Sequence, residues 1–328
     1  MFIRRMCVLM LAGIVFIPAV HAVQLRLKYT KDQTLVNDVV SSLKGDVKID
    51  GAQRLEGTAE GSFGVKMNQK TLDVDEAGAA NIEYRLDSLN ITMNSEADMG
   101  EGKKKYSAKL TESGGSYTVD GQEVQIPPMD DVKAQSWQVK MNNLGSPVSF
   151  SLDSSQLGAE EAKEVQNLSE QVTGFLSKSA PLPEKDVQVG DTWENILSVK
   201  DLTSSLAKEN PMLSAFTNLG IEDVKTVSTL KELRKEGDNE IATISSATNF
   251  SWKEGRIPLG VVNITVKNLE VKSESLTEMN NTLGTVPRMT SITNMTFEVV
   301  IETAIGEGGP ATYTATGNLK LDSTTTLK

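Results

Sequence analysis

Carboxylates are the side chains with the most chemical potential in this sequence. The 328 residues include 44 Asp and Glu but only one Cys and one His. Cys7 and His21 both lie close to the amino terminus, in a segment that we interpret as a removable signal peptide. Without them, Ser-His-Asp and Cys-His arrangements cannot be assembled, and the usual zinc, copper and iron–sulfur ligand sets are lost as well.

Paired carboxylates could still hydrolyse glycosides, because one acid and one base or nucleophile are enough for that reaction. No motif selects such a pair from the 44 acidic residues. We therefore predict no catalytic residues and no enzymatic activity. A carboxylate-based hydrolase remains the least favoured alternative.

One stretch begins like a calcium-binding loop, with Asp73, Asp75 and Gly78 at matching positions. It departs from that pattern at Ala77, and Tyr84 stands where a bidentate Glu would be required. We interpret it as a solvated turn. We predict no metal and no cofactor in this protein.

Residues 1–22 have the features of a secretory signal peptide. Arg4 and Arg5 precede an apolar run, and Val20-His21-Ala22 places small residues before a cleavage site. The mature chain should then begin near Val23, in the periplasm or outside the cell. An uncleaved amino-terminal anchor is the alternative. No later segment is apolar and long enough for a transmembrane helix.

The charge balance limits the partners. The formal net charge is −11, and removing Arg4 and Arg5 makes it more negative. Because nucleic acids and anionic membrane surfaces attract basic proteins, both are disfavoured as partners.

Alternating apolar and polar residues dominate the chain on both sides of a central segment. The pattern predicts a mainly β (α+β) fold with two antiparallel β-rich halves, built as open half-barrels or curved sheets and joined by a central helical segment. The expected divisions are a signal peptide at 1–22, a β domain at 23–153, a helix with a Pro-rich connector and short helices at 154–222, and a second β domain at 223–328.

Local signals add detail to the β-rich halves. The alternation slips by one residue at Asp87-Ser88 and again at Lys267-Asn268, as a β-bulge would cause. Asp120-Gly121 suits a two-residue hairpin turn. Because the two slipped strands have similar spacing, the halves could be a duplication or parts of one continuous sheet, and the sequence leaves this open.

Apolar residues between 154 and 177 recur at three-and-four spacing, which is typical of an amphipathic helix. We expect this helix to cover a sheet and to form the wall of a pocket at the junction of the two halves. The candidate wall residues are Val165, Leu168, Val172, Phe175, Leu182 and Trp193.

The connector at residues 181–194 is the most distinctive stretch. Two prolines prevent a helix, Gly190-Asp191 is typical of a turn, and Trp193 offers a large apolar surface to anchor a core. Its LPEK, V and VGDTW residues, which run from Leu182 to Trp193, resemble the LPxKxVxVGDTW-type motif of an uncharacterised family of secreted bacterial β-rich proteins, a domain of unknown function. The resemblance implies an envelope or secreted context and no mechanism.

Two functional hypotheses follow. The first is a non-catalytic envelope protein that binds an apolar small molecule or a lipid between sheet and helix, since such architectures can enclose apolar pockets. The second is a structural or interaction protein that contacts another envelope component.

Overall fold

The alternating segments form long antiparallel strands. The computed structural model describes residues 22–51, 55–98, 102–128, 136–152, 181–199, 223–259, 262–303 and 311–328. Every element assigned within these ranges is a β-strand. None of the described residues form a helix of the length and apolarity needed to cross a membrane.

The strands are β1 (Thr34–Asp50), β2 (Leu55–Val74), β3 (Ala80–Asp98), β4 (Lys103–Thr111), β5 (Gly114–Val119), β6 (Gln122–Ile126), β7 (Ser136–Met141), β8 (Pro147–Leu152), β9 (Thr192–Leu197), β10 (Val224–Glu236), β11 (Asn239–Leu259), β12 (Val262–Asn280), β13 (Thr285–Thr303) and β14 (Ala311–Leu327).

All of these strands belong to one sheet, with the order β6-β5-β4-β3-β2-β1-β14-β13-β12-β11-β10-β9. β7 pairs with the first residues of β3, from Ala80 to Arg85, and also pairs with β8. The first and last long strands, β1 and β14, lie side by side from Asn37↔Leu327 to Asp50↔Thr314. The predicted fold class of two β-rich halves joined by a central helical segment is therefore wrong, because this pairing joins the halves directly.

The described part of the central segment also differs from the prediction. Residues 181–199 form the connector and β9, which pairs with β10 as the last strand on that side of the sheet. The helices predicted within 154–222 fall on residues 153–180 and 200–222, which lie outside the described residues. The four candidate wall residues between Val165 and Phe175 lie there too.

Several local predictions are confirmed. The register between β2 and β3 shifts at Asp87, and the register between β12 and β13 shifts at Lys267. Asp120 and Gly121 both have positive φ, at 48° and 84°, and close the turn between β5 and β6. Both bulges were visible in the sequence because one additional residue moves all the following side chains to the opposite face.

The register divides the sheet into two chemically different faces. Side chains of directly paired residues project to the same face, and alternate residues project to opposite faces. One face, which we call the inner face, carries Val271 of β12, Met295 of β13 and Leu319 of β14 in one row. Along the described β1, β2, β3, β12, β13 and β14, its regularly paired positions contain no Asp, Glu, Lys or Arg.

The charged residues of the same strands lie on the opposite, outer face. Lys44 and Glu60 form an ion pair there between β1 and β2 at 2.8 Å, and Lys320 pairs with Asp322 at 2.9 Å along β14. Exposed pairs of this kind contribute about 0–1 kcal/mol each, so they do not determine the fold. Their consequence is a division of charge, because they place charged side chains on one face and leave the regularly paired positions of the other uncharged.

A glycine lets β13, β14 and β1 pack closely together at the inner face. Gly317 of β14 lies on this face against the ring of Phe297 from β13. A Cβ atom at Gly317 would be 2.7 Å from that ring and 2.8 Å from the backbone oxygen of Asp46. No side chain fits without moving a neighbouring strand, so glycine is required here by close packing.

We expect Gly317→Ala to destabilise the protein by about 1–3 kcal/mol, the usual loss when a closely packed site is overfilled. Gly64→Ala on the outer face of β2 is the matched control, because its nearest neighbour to a new Cβ is the Asn90 oxygen at 3.7 Å. Urea unfolding of both variants provides the comparison. Equal stability of the two would contradict the close packing at Gly317.

Candidate functional site

Leu25, Leu27 and Tyr29 alternate with polar residues, a pattern that predicts a half-buried strand. Residues 22–33 instead cross the sheet as a strap, ahead of β1. Val23 makes a two-way backbone bridge with Val187 of the connector, with N–O distances of 2.8 and 2.9 Å. Leu25 is fully buried. The alternation of Leu25, Leu27 and Tyr29 was a correct sign of one apolar side, but that side contacts the sheet face instead of continuing it.

The strap covers one end of the inner face, which we call the closed end. Val23 and Leu25 belong to the same buried cluster as Leu230, Ile244 and Met279, which project from β10, β11 and β12. The remaining members of this core cluster are Leu182, Val187 and Ala242. Burial of such side chains contributes roughly 1.5–3 kcal/mol each, so this cluster fixes the strap firmly to the sheet.

The strap also joins the two sides of the sheet. The backbone N–H of Leu27 donates to Asn143 in the β7–β8 turn at 2.8 Å, and that of Lys28 donates to Gly284 in the β12–β13 turn at 3.0 Å. The Leu182 N–H of the connector donates to Leu144 of the β7–β8 turn. Because β7–β8 and the connector belong to opposite sides of the strand order, the sheet must curve around the inner face at this end.

The turn and the tryptophan of the connector motif both have structural explanations. Gly190, with φ +99°, donates to the Leu230 oxygen, and the Leu230 N–H donates to Asp191. The Asp191 carboxylate accepts from the Gln188 N–H at 2.9 Å. Trp193 is half-buried against the core cluster and donates its indole N–H to the Pro181 oxygen at 3.0 Å. The motif thus ties β9 and β10 to the strap.

An open cavity of about 810 Å³ lies beside the connector. Leu182 and Trp193, the two candidate wall residues within the described chain, both line it. Glu184, Lys185 and Asp186 also line it, so its rim is charged. The role of Leu182 and Trp193 as a ligand wall stays a prediction.

The inner face beyond the strap is a second candidate site. Around its middle, the side chains of Met93, Leu321 and Met289 remain 43%, 38% and 38% exposed. Phe63, Tyr117 and Val124 on the same face are exposed too. Within the described residues, the strap and the connector cover the closed end and leave these side chains accessible.

Toward the opposite, open end, the inner face carries a second buried group, which we call the open-end cluster. It contains Trp252, Ile257 and Val266 on β11 and β12. Phe250, Ile264, Leu269 and Val299 pack against these three side chains. The result is an apolar surface that continues along the strands from the closed end to the open end.

The carboxylates of the candidate calcium loop have other partners. Asp75 accepts the backbone N–H groups of Ala77 and Ala79 and contacts the Lys140 ammonium at 2.8 Å. The Lys140 hydrogen bond and then the Ala79 N–H hold the pKa of Asp75 below its ordinary value. Among the described residues, no group of three or more His, Cys, Asp or Glu is arranged to hold a metal ion.

The comparisons with known proteins identify no family. No family model and no curated protein match the chain. A crystal structure of Pseudomonas aeruginosa OccK7 (OpdD) is 5% identical, with a TM-score of 0.18, over 90% of this chain and 99% of that chain. The translocator domain of autotransporter NalP from Neisseria meningitidis is 6% identical, with a TM-score of 0.19, over 90% and 88%. Similarity this low carries no argument about this protein.

Tyr29 of the strap tests whether the closed end is packed as described. It is half-buried, and its hydroxyl donates to the Asn142 oxygen at 3.3 Å. Burial, with a smaller contribution from Tyr84, raises the pKa of Tyr29 well above the ordinary 10.0. A raised folded-state pKa means that the stabilisation is complete below the unfolded pKa and is lost as pH rises above about 10.

We therefore expect Tyr29→Phe to reduce the loss of unfolding free energy between pH 9 and pH 11, values near the ordinary tyrosine pKa of about 10. Some loss should remain, because burial also raises the pKa of Tyr84. Denaturant unfolding across this range measures the effect. The exposed Tyr117 provides the control variant, Tyr117→Phe, which should leave the slope unchanged. Identical slopes for Tyr29→Phe and wild type would show that the strap does not bury Tyr29.

Proposed function

We propose that this protein is a non-catalytic, exported envelope protein that binds a long apolar ligand or lipid chain against the inner face of its curved sheet. The observation that carries the proposal is the absence of charged side chains from that face along six described strands. A surface of this extent is expensive to leave in water, and large apolar patches usually mark binding sites.

The inner face suits an apolar chain better than the connector cavity does. The cavity presents Glu184, Lys185 and Asp186 at its rim, so an apolar ligand would displace their hydration there. The inner face offers Met295, Leu319 and their neighbours without that penalty. We therefore place the ligand on the inner face, and the connector next to its closed end.

The energetics favour a long chain. Burying one methylene contributes roughly 0.8 kcal/mol, whereas association itself costs roughly 4–15 kcal/mol. About ten methylenes would contribute roughly 8 kcal/mol, which only begins to offset that cost. Short alkyl compounds should consequently bind weakly or not at all.

A charge placed on the inner face should abolish binding. Met93 projects to the inner face of β3 and Asn94, its neighbour, to the outer face, and both are exposed. Met93→Glu should weaken binding of the apolar dye N-phenylnaphthylamine at least tenfold, because the charge would lose its hydration beside the dye. Asn94→Glu adds the same charge on the other face and should leave binding unchanged.

Circular dichroism and thermal melting would establish that both variants fold. Because the two positions are exposed, neither substitution should change the melting temperature greatly. Equal dye binding by the two variants, or no dye binding by the wild-type protein, would contradict the proposed site.

A second candidate function is docking of another envelope component on the outer face. An open groove of about 580 Å³ there exposes Leu276 and Ile292 from β12 and β13. Photo-crosslinking from Leu276 in intact cells should capture one recurrent protein if the outer face docks a partner. Crosslinking from Met93 to lipid, with none from Leu276, would favour the apolar-ligand function.

A further inference from the structure

The inner face is not uniformly apolar, because hydroxyl groups cross it in two rows. The register aligns one serine from each strand between β10 and β1, in the order Ser228, Ser246, Ser275, Ser291, Ser323 and Ser41. The neighbouring row contains Thr226, Thr248, Ser273 and Thr293. We call these residues the hydroxyl belt. The belt separates the core cluster at the closed end from the open-end cluster.

Most of the belt is already organised by its own hydrogen bonds. The side chains pair as Ser228 with Ser246 at 2.8 Å, Thr226 with Thr248 at 2.7 Å, Ser273 with Thr293 at 2.9 Å and Ser41 with Ser323 at 2.9 Å. Within each pair one hydroxyl donates, and its partner keeps a hydrogen that can still be donated. The paired hydroxyls are therefore fixed in position, and each pair still has one hydroxyl hydrogen available for donation.

Ser275 and Ser291 lie at the centre of the belt, directly opposite each other on β12 and β13. Neither makes a side-chain hydrogen bond within the part of the chain that the structure describes, although every other belt residue does. The two central hydroxyls thus point to the inner face with their donors available.

The surroundings of the belt leave room for a ligand. Met289 lies on its closed-end side and Leu321 lies beside Thr293, and both side chains are exposed. Beyond the belt, Phe250, Val271, Met295 and Leu319 form an apolar row toward the open end. A chain lying along β12 and β13, over Val271 and Met295 and then Leu269 and Phe297, would place a polar group at its end against Ser275 and Ser291.

The chemistry of the belt selects the polar group. Hydroxyl donors suit a neutral acceptor such as a carbonyl oxygen, but they cannot offset a buried negative charge. No cationic side chain occupies a regularly paired inner-face position of the described β12, β13 and β14 to balance a carboxylate or phosphate. An ionised head group would therefore stay outside the site, in water.

We propose that the hydroxyl belt binds the neutral carbonyl of an acyl ester or amide, so that the ligand is an esterified or amidated long-chain lipid and not a free fatty acid or a hydrocarbon. This inference rests on the proposed function of the inner face. The carbonyl accepts hydrogen bonds from Ser275 and Ser291, and the acyl chain extends along β12 and β13, across the apolar row, toward the open end.

Displacement of N-phenylnaphthylamine by two probes of equal chain length, methyl laurate and tetradecane, tests the proposal. The ester should displace the dye at about tenfold lower concentration than the alkane, because two hydroxyl–carbonyl hydrogen bonds contribute about this factor together. Laurate measured above its pKa should bind more weakly than its methyl ester.

The double variant Ser275→Ala, Ser291→Ala should remove the preference for the ester and leave tetradecane binding unchanged. Ser275→Thr with Ser291→Thr keeps the hydroxyls and should retain the preference. The matched control is Ser245→Ala with Thr290→Val. It removes two hydroxyls from the outer face, at positions next to belt residues in the chain. Thermal melting would verify that each variant folds.

The outcomes separate this inference from the function on which it rests. Equal displacement by ester and alkane, or a preference that survives the double alanine variant, would overturn the role of the belt while leaving apolar binding intact. Failure of both probes to displace the dye, or failure of the dye to bind, would overturn the apolar site and the belt together.

Discussion

The strap is the contact on which the rest of this structure depends. Val23 and Leu25 enter the core cluster of β10, β11 and β12, while the strap backbone bonds to turns from both sides of the sheet. A sheet with one uncharged face would otherwise be free to associate through that face. The strap covers part of that face and holds the sheet in a curve with one closed end.

Charge placement then separates the two faces into different roles. Ion pairs such as Lys44–Glu60 keep the outer face hydrated. Along β1, β2, β3, β12, β13 and β14, the regularly paired positions of the inner face carry no charged side chain. This division of charge is the feature on which the proposed binding of an apolar ligand rests.

Much of the local structure could be predicted from the sequence. The slips at Asp87 and Lys267 and the turn at Asp120-Gly121 depend on neighbouring residues alone, and each is confirmed. The single sheet could not be predicted in the same way. The single sheet depends on the pairing of β1 with β14, which lie at opposite ends of the chain. The alternation of apolar and polar residues does not indicate which strands become neighbours.

The candidate site shows the same limit. Alternate positions without charge were visible in each strand, and Leu182 and Trp193 were placed near a junction by their motif. The hydroxyl belt was not foreseen, because Ser228, Ser275 and Ser41 become one row only when the register is known. The alternation in the strap predicts a strand, because a segment that lies on a sheet and one within it alternate alike.

Native mass spectrometry of the protein purified from its own host, followed by organic extraction and identification of the released compounds, tests the central claim most directly. The account predicts a co-purifying long-chain lipid, lost on extraction, with an ester or amide next to its acyl chain. A protein whose mass equals that of the mature polypeptide before extraction, and which releases no lipid, would contradict it.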